Sequence, residues 1–131
     1  MKKLQIFGLI LIILFVACKK QQKEPFGPTD VRILNLTDLT MNEVTVNTWD
    51  STFNYGAIAA GDTSEYHRFN RAYVVADIAA MINGLQYKTD SAVYTWKNYV
   101  GKVKITYRIW IISDADRRLG MELIGYDAPL E

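Results

Sequence analysis

One histidine and one cysteine, His67 and Cys18, are the residues of this 131-residue chain best suited to nucleophilic or metal chemistry. A Ser/His/Asp site would have to use His67, yet the sequence has no G-x-S-x-G motif around a nucleophilic serine. A zinc site is equally unsupported, because His67 has no Cys or His partner at ligand spacing. We therefore interpret His67, which falls within an alternating strand pattern, as a structural or surface residue.

Acidic residues could act as calcium ligands or as a glycosidase pair. Asp114 and Asp116 are spaced like the start of a calcium loop, but two arginines follow where further oxygen ligands would be expected. A carboxylate pair could be chosen from Asp77, Glu65 and Glu122, although a domain of this size has little room for a substrate cleft. The sequence has no glycine loop for phosphate. We expect no metal, no cofactor and no catalytic residue, and therefore no enzyme.

Aromatic residues offer binding chemistry instead. The chain has eight Tyr, five Phe and three Trp, and many of them fall in two predicted connections, residues 49–55 and 94–99. Exposed rings there could stack on sugars or anchor a partner protein, since they bury a large area at low entropy cost. Alternatively, they cap the ends of the core. Trp110 lies on the polar face of a predicted strand, so it either packs under a loop or marks a binding face. The candidate binding residues are Trp49, Tyr55, Tyr94, Trp96 and Trp110.

The N-terminal segment has the pattern of an export signal. Lys2 and Lys3 form a positive n-region, residues 4–16 are almost entirely apolar, and Ala17 is the small residue that a signal peptidase needs beside the cleavage site. The apolar run is shorter than the roughly 20 residues of a membrane-spanning helix, and lysines follow it. We predict that residues 1–17 are a signal peptide.

The four residues Phe15-Val16-Ala17-Cys18 resemble the lipobox of bacterial lipoproteins. In that family the cysteine sulfur carries a diacylglycerol, the chain is cut before the cysteine, and the new amino group is usually acylated. The resemblance implies cleavage between Ala17 and Cys18 and lipidation of Cys18. One acyl chain binds a membrane reversibly, whereas two or three would hold the protein permanently. The alternatives are an ordinary secretory signal with a chance cysteine, or an uncleaved anchor.

Length and charge indicate one domain on a tether. Removal of residues 1–17 from the 131-residue chain would leave 114 residues without any cysteine pair, so no disulfide can form within the mature chain. Residues 18–29 are polar and rich in Pro and Gly, and they are predicted to be a flexible tether to a domain at residues 30–131. The chain has 15 basic and 14 acidic residues and no basic stripe. This balance argues against nucleic-acid binding.

From Asp30 onward, short runs of β-forming residues alternate with turn residues. The predicted strands are residues 31–36, 42–47, 64–69, 72–82, 85–89, 103–113 and 119–126. A hairpin is expected between the first two, and Asn83-Gly84 is a strong signal for another. Residues 72–82 could be helical by composition, but their alternation and the following Asn-Gly favour a strand.

About seven strands at these spacings predict an all-β domain, specifically an antiparallel β-sandwich of the immunoglobulin-like or transthyretin-like type. The alternative is a small closed β-barrel, which would bury one face of every strand around a common interior. The strand at residues 103–113 has the clearest pattern. Its predicted core-facing residues are Val103, Ile105, Tyr107, Ile109 and Ile111.

Two tripeptides, Asp50-Ser51-Thr52 and Asp90-Ser91-Ala92, resemble the D-S/T-hydrophobic acceptor pattern of O-glycosylation in Bacteroidetes. The resemblance implies Ser51 and Ser91 as acceptors. Both tripeptides lie in predicted loops, where the alternative is an Asx or Ser turn.

The whole chain resembles the small lipoproteins of Bacteroidetes, through the lipobox, the short polar tether, the segment at residues 60–66, Ala72-Tyr73 and Asn83-Gly84. The resemblance implies an outer-membrane location, on the periplasmic or the surface-facing side, and a β-sandwich-like fold, but no particular activity. We expect a membrane-anchored, non-enzymatic binding or assembly module for an envelope protein or glycan. The alternatives are a small envelope hydrolase that uses carboxylates and an inhibitor or immunity-type partner of a secreted enzyme.

Overall fold

The computed structural model describes residues 27–127, which hold most of the predicted β-domain and the end of the predicted tether. The predicted signal peptide, the cleavage site between Ala17 and Cys18, and the lipidated Cys18 lie outside the described residues and stay predictions. Within residues 27–127, no helix has the length and apolar character needed to cross a membrane.

Eight β-strands make up the described part of the chain. They are β1 Thr29–Asn35, β2 Asn42–Asn47, β3 Thr52–Asn54, β4 His67–Phe69, β5 Asp77–Ile82, β6 Leu85–Thr89, β7 Lys104–Ser113 and β8 Arg118–Asp127. A 3₁₀ turn at Trp96–Asn98 lies within the long connection between β6 and β7. Buried and partly exposed residues alternate along β1 and β5, as expected of strands with one face against a core.

All eight strands belong to one sheet, in the order β3-β2-β5-β6-β8-β7-β1-β4. The β1–β7 and β6–β8 pairs are parallel, and the other pairs are antiparallel. The sheet curls until it is nearly closed into a barrel. The all-β prediction is confirmed. Because every strand is in the same sheet, the predicted barrel alternative describes the architecture better than a two-sheet sandwich.

The two edge strands, β3 and β4, meet through side chains where the barrel closes. Phe53 of β3 stacks on His67 of β4, with ring centroids 3.5 Å apart and planes 6° apart. Tyr55 lies edge-on to Phe53, and its hydroxyl donates to the Val31 carbonyl of β1 at 2.6 Å. Phe69 is buried and lies edge-on to His67. Phe53, Tyr55, His67 and Phe69, the seam cluster, therefore cover edges that would otherwise expose unpaired backbone.

The barrel interior is filled from one face of each long strand. On β7, Ile105, Tyr107 and Ile109 are buried as predicted, and Ile111 packs partly buried against the same core, as does Val103 just before the strand. The sequence predicted which side chains of β7 face the core, because side chains alternate between the two faces of a strand with a period of two. The other largest fully buried side chains are Phe69, Ile33, Met41, Ile78, Ile82 and Leu119.

The Asn83-Gly84 hairpin is confirmed. It joins β5 to β6, and the register places Ile82 opposite Leu85. Asn83 and Gly84 have φ values of 51° and 77°. Positive φ at both central residues is what a type I′ turn requires, and Asn and Gly adopt it more readily than other residues.

The predicted hairpin between the first two strands is wrong, because β1 pairs with β4 and β7 while β2 pairs with β3 and β5. The Asn35 side chain explains why β1 and β2 do not pair with each other. Its Nδ2 donates to the carbonyls of Leu39 at 2.8 Å and Ile58 at 3.0 Å, and its Oδ1 accepts the Thr37 N–H at 2.9 Å. Such side-chain bonds replace a strand ladder and hold residues 36–41 as an ordered loop.

Three other segments differ from the predicted strands. The predicted connection at residues 49–55 contains the short edge strand β3. The predicted strand at residues 64–69 is reduced to β4, because Ser64 Oγ accepts the Ile33 N–H at 2.9 Å and a side chain thus replaces ladder backbone. Of the predicted strand at residues 72–82, only β5 is regular, so Val74 lies outside it and is exposed.

Candidate functional site

Three connections meet at one end of the barrel. They are the β2–β3 turn, the β4–β5 connection and the β6–β7 connection, which the antiparallel and parallel pairings bring to the same end of the sheet. Together they line a groove of about 430 Å³. Its lining consists of the five aromatic residues Trp49, Tyr73, Tyr94, Trp96 and Tyr99, with Arg71 and Thr95. We call this feature the aromatic groove.

Trp49 contributes an exposed ring from a strained turn. The residue is 58 % exposed, and its φ of 92° lies in a region that bulky residues rarely adopt. Its N–H donates to Asn47 Oδ1 at 2.8 Å, and the Thr48 N–H donates to the Ser51 carbonyl at 3.0 Å. Thr48 is fully buried, yet its hydroxyl has no hydrogen-bond partner among residues 27–127. Such unfavourable features concentrate at functional sites.

Trp96 contributes a second ring, which is 82 % exposed. It is the first residue of the 3₁₀ turn, in which the Asn98 N–H donates to the Thr95 carbonyl at 3.0 Å and the Tyr99 N–H donates to the Trp96 carbonyl at 3.3 Å. Lys97 Nζ lies 5.8 Å from the centroid of the Trp96 ring. The turn thus holds a large apolar side chain in water beside a positive charge.

Three tyrosines form a packed floor beneath these rings. Tyr73 is buried, and its ring lies edge-on to Tyr94 at 5.1 Å and to Tyr99 at 5.6 Å. Tyr107, from the barrel interior, donates its hydroxyl to the Tyr73 carbonyl. The Val74 N–H donates to the Asn98 carbonyl at 2.7 Å, which ties the two long connections together. Edge-to-face packing and these bonds preorganise the floor.

The Tyr94 hydroxyl is fixed by the ends of β2 and β5. Its oxygen lies 2.8 Å from both the Asn47 carbonyl and Asp77 Oδ2, so its one proton can go to either acceptor, and it accepts the Asp77 N–H at 3.1 Å. Asp77 Oδ1 also accepts the Ala92 N–H at 2.8 Å. Burial raises the pKa of Tyr94, and the hydrogen bond to Asp77 raises it further. The Tyr94 hydroxyl therefore stays un-ionised at neutral pH and is held in place as part of the floor.

Arg71 is the charged residue among those that line the groove. The Arg71 guanidinium lies 5.4 Å from the centroid of the Trp49 ring, which is a cation–π contact. Among the carboxylates whose side chains the structure describes, none lies within salt-bridge distance of Arg71. None of the lining residues is acidic. The groove thus combines flat apolar faces with an uncompensated cation.

Of the predicted binding aromatics, the structure brings together Trp49, Tyr94 and Trp96. It adds Tyr73 and Arg71, which the sequence does not single out because neither belongs to a local aromatic group. Tyr99 shares a segment with Tyr94 and Trp96, so a local signal for it was present. What joins these residues is the convergence of three connections far apart in sequence, which no local pattern reports.

Tyr55 lies elsewhere, in the seam cluster, and its ring is half-buried with its hydroxyl already bonded to the Val31 carbonyl. Burial raises the pKa of Tyr55, with smaller contributions from Tyr107 and Asp30. Burial also lowers the pKa of His67, and Asp30 acts in the opposite direction. Stacked on Phe53, His67 acts as a packing residue in the seam.

Trp110 also lies outside the aromatic groove. Its ring packs on Gly120 of the neighbouring strand β8 so closely that a Cβ on Gly120 would be 2.5 Å from Trp110 Cε2. The Arg108 guanidinium lies 5.9 Å from the ring centroid. Trp110 therefore lies flat on the outer face of the sheet, partly buried, and lines a separate depression of about 420 Å³.

The remaining candidate residues are separated in the structure. Ser51 and Ser91 both lie outside the strands, in connections as predicted, and Ser91 is exposed. Asp114 accepts the Tyr87 hydroxyl at 3.0 Å, and Glu122 pairs with Arg108. Within residues 27–127, no three His, Cys, Asp or Glu side chains are arranged as metal ligands would be.

No protein-family model matches the sequence, and no curated protein matches it. Among solved structures, the chain is similar to an NMR structure of a protein from Eubacterium rectale. The two share 12 % sequence identity with a TM-score of 0.51, and the match covers 77 % of this chain and 94 % of that chain. At this identity, the likeness shows a shared all-β fold.

Proposed function

We propose that this protein is a lipid-anchored, non-enzymatic binding module of the bacterial cell envelope, whose aromatic groove takes a glycan or a segment of an envelope protein. The supporting observation is that Trp49 and Trp96, 58 % and 82 % exposed, flank a groove with a packed tyrosine floor. Water covers these rings in the free protein, and a ligand that replaces it would bury a large apolar area. The volume of about 430 Å³ is in the range of small-ligand sites.

The anchor in this proposal comes from the lipobox resemblance at Phe15–Cys18. Acyl chains on Cys18 would hold the protein in the outer membrane, and residues 19–28 would act as the tether. The predicted tether loses Thr29, because this residue is buried as the first residue of β1. Ten extended residues reach at most about 36 Å, which is enough to lift a small domain clear of lipid headgroups. Such a tether would let the groove reach ligands on the envelope while the protein stays attached.

The groove is tested by Trp49→Ala and Trp96→Ala in the full-length lipidated protein, purified in detergent and probed on a glycan array and by crosslinking in envelopes. Both variants should lose the partners that the unchanged protein retains. Trp110→Ala is the matched control, because Trp110 lies outside the groove, and it should bind normally. If folded groove variants keep every partner, or if only Trp110→Ala loses them, the aromatic groove is not the binding site.

The anchor is tested separately by Cys18→Ser. We expect the variant to leave the membrane fraction and to lack the mass of the acyl chains found on the unchanged protein. Protease treatment of intact cells would show which side of the outer membrane carries the domain. A Cys18→Ser protein that stays membrane-bound at unchanged mass would contradict lipidation.

A further inference from the structure

We infer that the aromatic groove selects an acidic glycan, in which a carboxylate-bearing sugar places its ring on the tryptophans and its carboxylate on Arg71. This inference rests on the proposed function, since it names the ligand class of the same groove. Its evidence is separate from the exposure of the rings, because it concerns charge.

Arg71 differs from three other arginines of the domain. Arg68 pairs with Asp30 at 3.0 Å, Arg118 donates to Asp90 at 2.8 Å, and the guanidinium of Arg108 contacts Glu122. Arg71 has no such partner among the described carboxylates, and its guanidinium lies against the Trp49 ring. The groove therefore offers a guanidinium that no acid of the described domain has neutralised.

Other charged groups lie near the groove, but none of them lines it. Lys97 lies beside the Trp96 ring and adds a second cation near the groove. Asp77, bonded to the floor, keeps its negative charge, but it is not a lining residue, and its oxygens accept from the Tyr94 hydroxyl and the Ala92 N–H and not from Arg71. An anionic ligand would thus meet attraction from two cations without a competing acid among the lining residues.

The chemistry of these groups matches a sugar acid. A guanidinium has five N–H donors in a planar fork that fits a carboxylate, and a contact with an aromatic face holds the fork in place. The rings of Trp49 and Trp96 supply flat apolar surfaces for the C–H faces of sugar rings. A neutral sugar would use the rings alone, whereas a uronic-acid-type sugar would use the rings and Arg71 together.

An acidic peptide fits the groove less well. The lining residues all lie in connections, and none of them belongs to a strand. An extended peptide usually gains affinity by pairing its backbone with a free strand edge, and the groove offers none. Ring faces and one forked cation suit a ligand that presents flat rings and carboxylates.

The test uses the full-length lipidated protein in detergent with two matched probes. One is an oligosaccharide that alternates glucuronic acid with a neutral sugar, and the other is the same oligosaccharide after reduction of its carboxyl groups. At low salt, the acidic probe should bind roughly fivefold more tightly, as one charge pair with an exposed arginine would produce. The difference should shrink in high salt.

Variants separate the inference from the proposed function. Arg71→Gln should lose most of the preference for the acidic probe, leaving only the weaker attraction of Lys97, while Trp96→Ala should lose both probes. Arg32→Gln is the matched control, because Arg32 makes the same kind of contact with Tyr66 outside the groove, at 4.8 Å, and it should keep the fivefold difference. Thermal melting would confirm that each variant is folded.

Each contrary result has a definite meaning. Equal binding of the two probes by the unchanged protein would overturn the acidic-glycan inference and leave a glycan-binding groove. Binding of neither probe, together with no Trp49- or Trp96-dependent partner, would overturn the proposed function as well. Tighter, Arg71-dependent binding of a glutamate-rich peptide than of the acidic probe would reassign the ligand to an acidic protein segment and overturn the inference.

Discussion

The seam cluster and the aromatic groove are both built from aromatic side chains, but they differ in what covers the rings. In the seam, Phe53 and His67 stack at 3.5 Å and Phe69 is only 1 % exposed, so the rings cover one another. In the groove, the floor tyrosines also cover one another, edge to face, while Trp49 and Trp96 remain in water. Exposure, and not aromatic content, therefore separates a closure of the fold from a candidate binding surface.

Polar groups around the seam have partners within the chain, whereas some of those around the groove do not. Around the seam, the Tyr55 hydroxyl is bonded to the Val31 carbonyl, and Arg68 is paired with Asp30. Around the groove, Arg71 lacks a carboxylate partner among the described residues, and the buried Thr48 hydroxyl is unsatisfied there. The seam is thus satisfied internally, whereas the groove retains chemistry for something outside the chain. Four predictions test this difference.

The largest effect should come from Phe69→Ala in the seam. Removing a ring that is 1 % exposed leaves a cavity, and we expect the free energy of unfolding to fall by about 3–5 kcal/mol. Denaturant titration measures this loss. Trp96→Ala is the groove counterpart and should change stability by less than about 0.5 kcal/mol, because its ring is 82 % exposed. Similar losses in the two variants would erase the proposed distinction.

Tyr55→Phe should have a smaller effect on the seam. It removes the 2.6 Å hydrogen bond to the Val31 carbonyl but keeps the ring, so we expect a loss of about 1 kcal/mol in the free energy of unfolding. Because burial raises the pKa of Tyr55, the unfolded chain would ionise first as the pH rises above 10.0, and this contribution should disappear there. Stability measured at pH 8 and pH 11 checks both statements. A variant that unfolds like the unchanged protein at pH 8 would contradict them.

Thr48→Val should act in the opposite direction at the base of the groove. The substitution keeps the shape of the side chain and removes a buried hydroxyl without a partner among residues 27–127, so stability should rise by up to about 1 kcal/mol. Thermal unfolding of the two proteins measures the change. A clear loss of stability would show that the Thr48 hydroxyl has a favourable hydrogen-bond partner in the folded protein.

The smallest effect should be a pH dependence of the seam. Burial lowers the pKa of His67 in the folded protein, so the unfolded chain takes up the proton first as the pH falls below 6.5. Stability should therefore decline from pH 7.5 to pH 5.5. His67→Phe preserves an aromatic ring and should remove this part of the decline. Binding at the groove should not decline over the same pH range, because the chain has one histidine and this histidine lies in the seam cluster. An identical decline in His67→Phe would assign it to other groups.

Several features of the fold could be predicted from sequence because they are local. Alternation identified the core face of β7, and β2 and β6 have the predicted bounds. Asn83-Gly84 identified its hairpin because only a few residues adopt positive φ readily. The predicted hairpin between β1 and β2 was wrong because it depended on a contact distant in sequence. The Asn35 side chain bonds to the Ile58 carbonyl, and no local pattern indicates that contact.

The candidate site was predictable only in part. Trp49, Tyr94 and Trp96 were identified as members of aromatic segments between strands. Their assembly with Arg71 and Tyr73 depends on the order of strands in the sheet, which brings three connections to one end of the barrel. The separation of Tyr55 from this group depends on closure of the seam, where its hydroxyl bonds to β1.

The sequence by itself determined that the described domain is all-β, which face of β7 is buried, and which residue types are available for binding. It also holds the lipobox-like residues before Cys18, on which the proposed anchor rests. Only the tertiary structure decided that one curled sheet replaces a sandwich, and that Arg71 lies against Trp49 without a carboxylate partner in the described domain. The physical reason is range: periodicity and turn chemistry act over a few neighbouring residues, whereas strand pairing and the neutralisation of a charge depend on residues that meet only after folding.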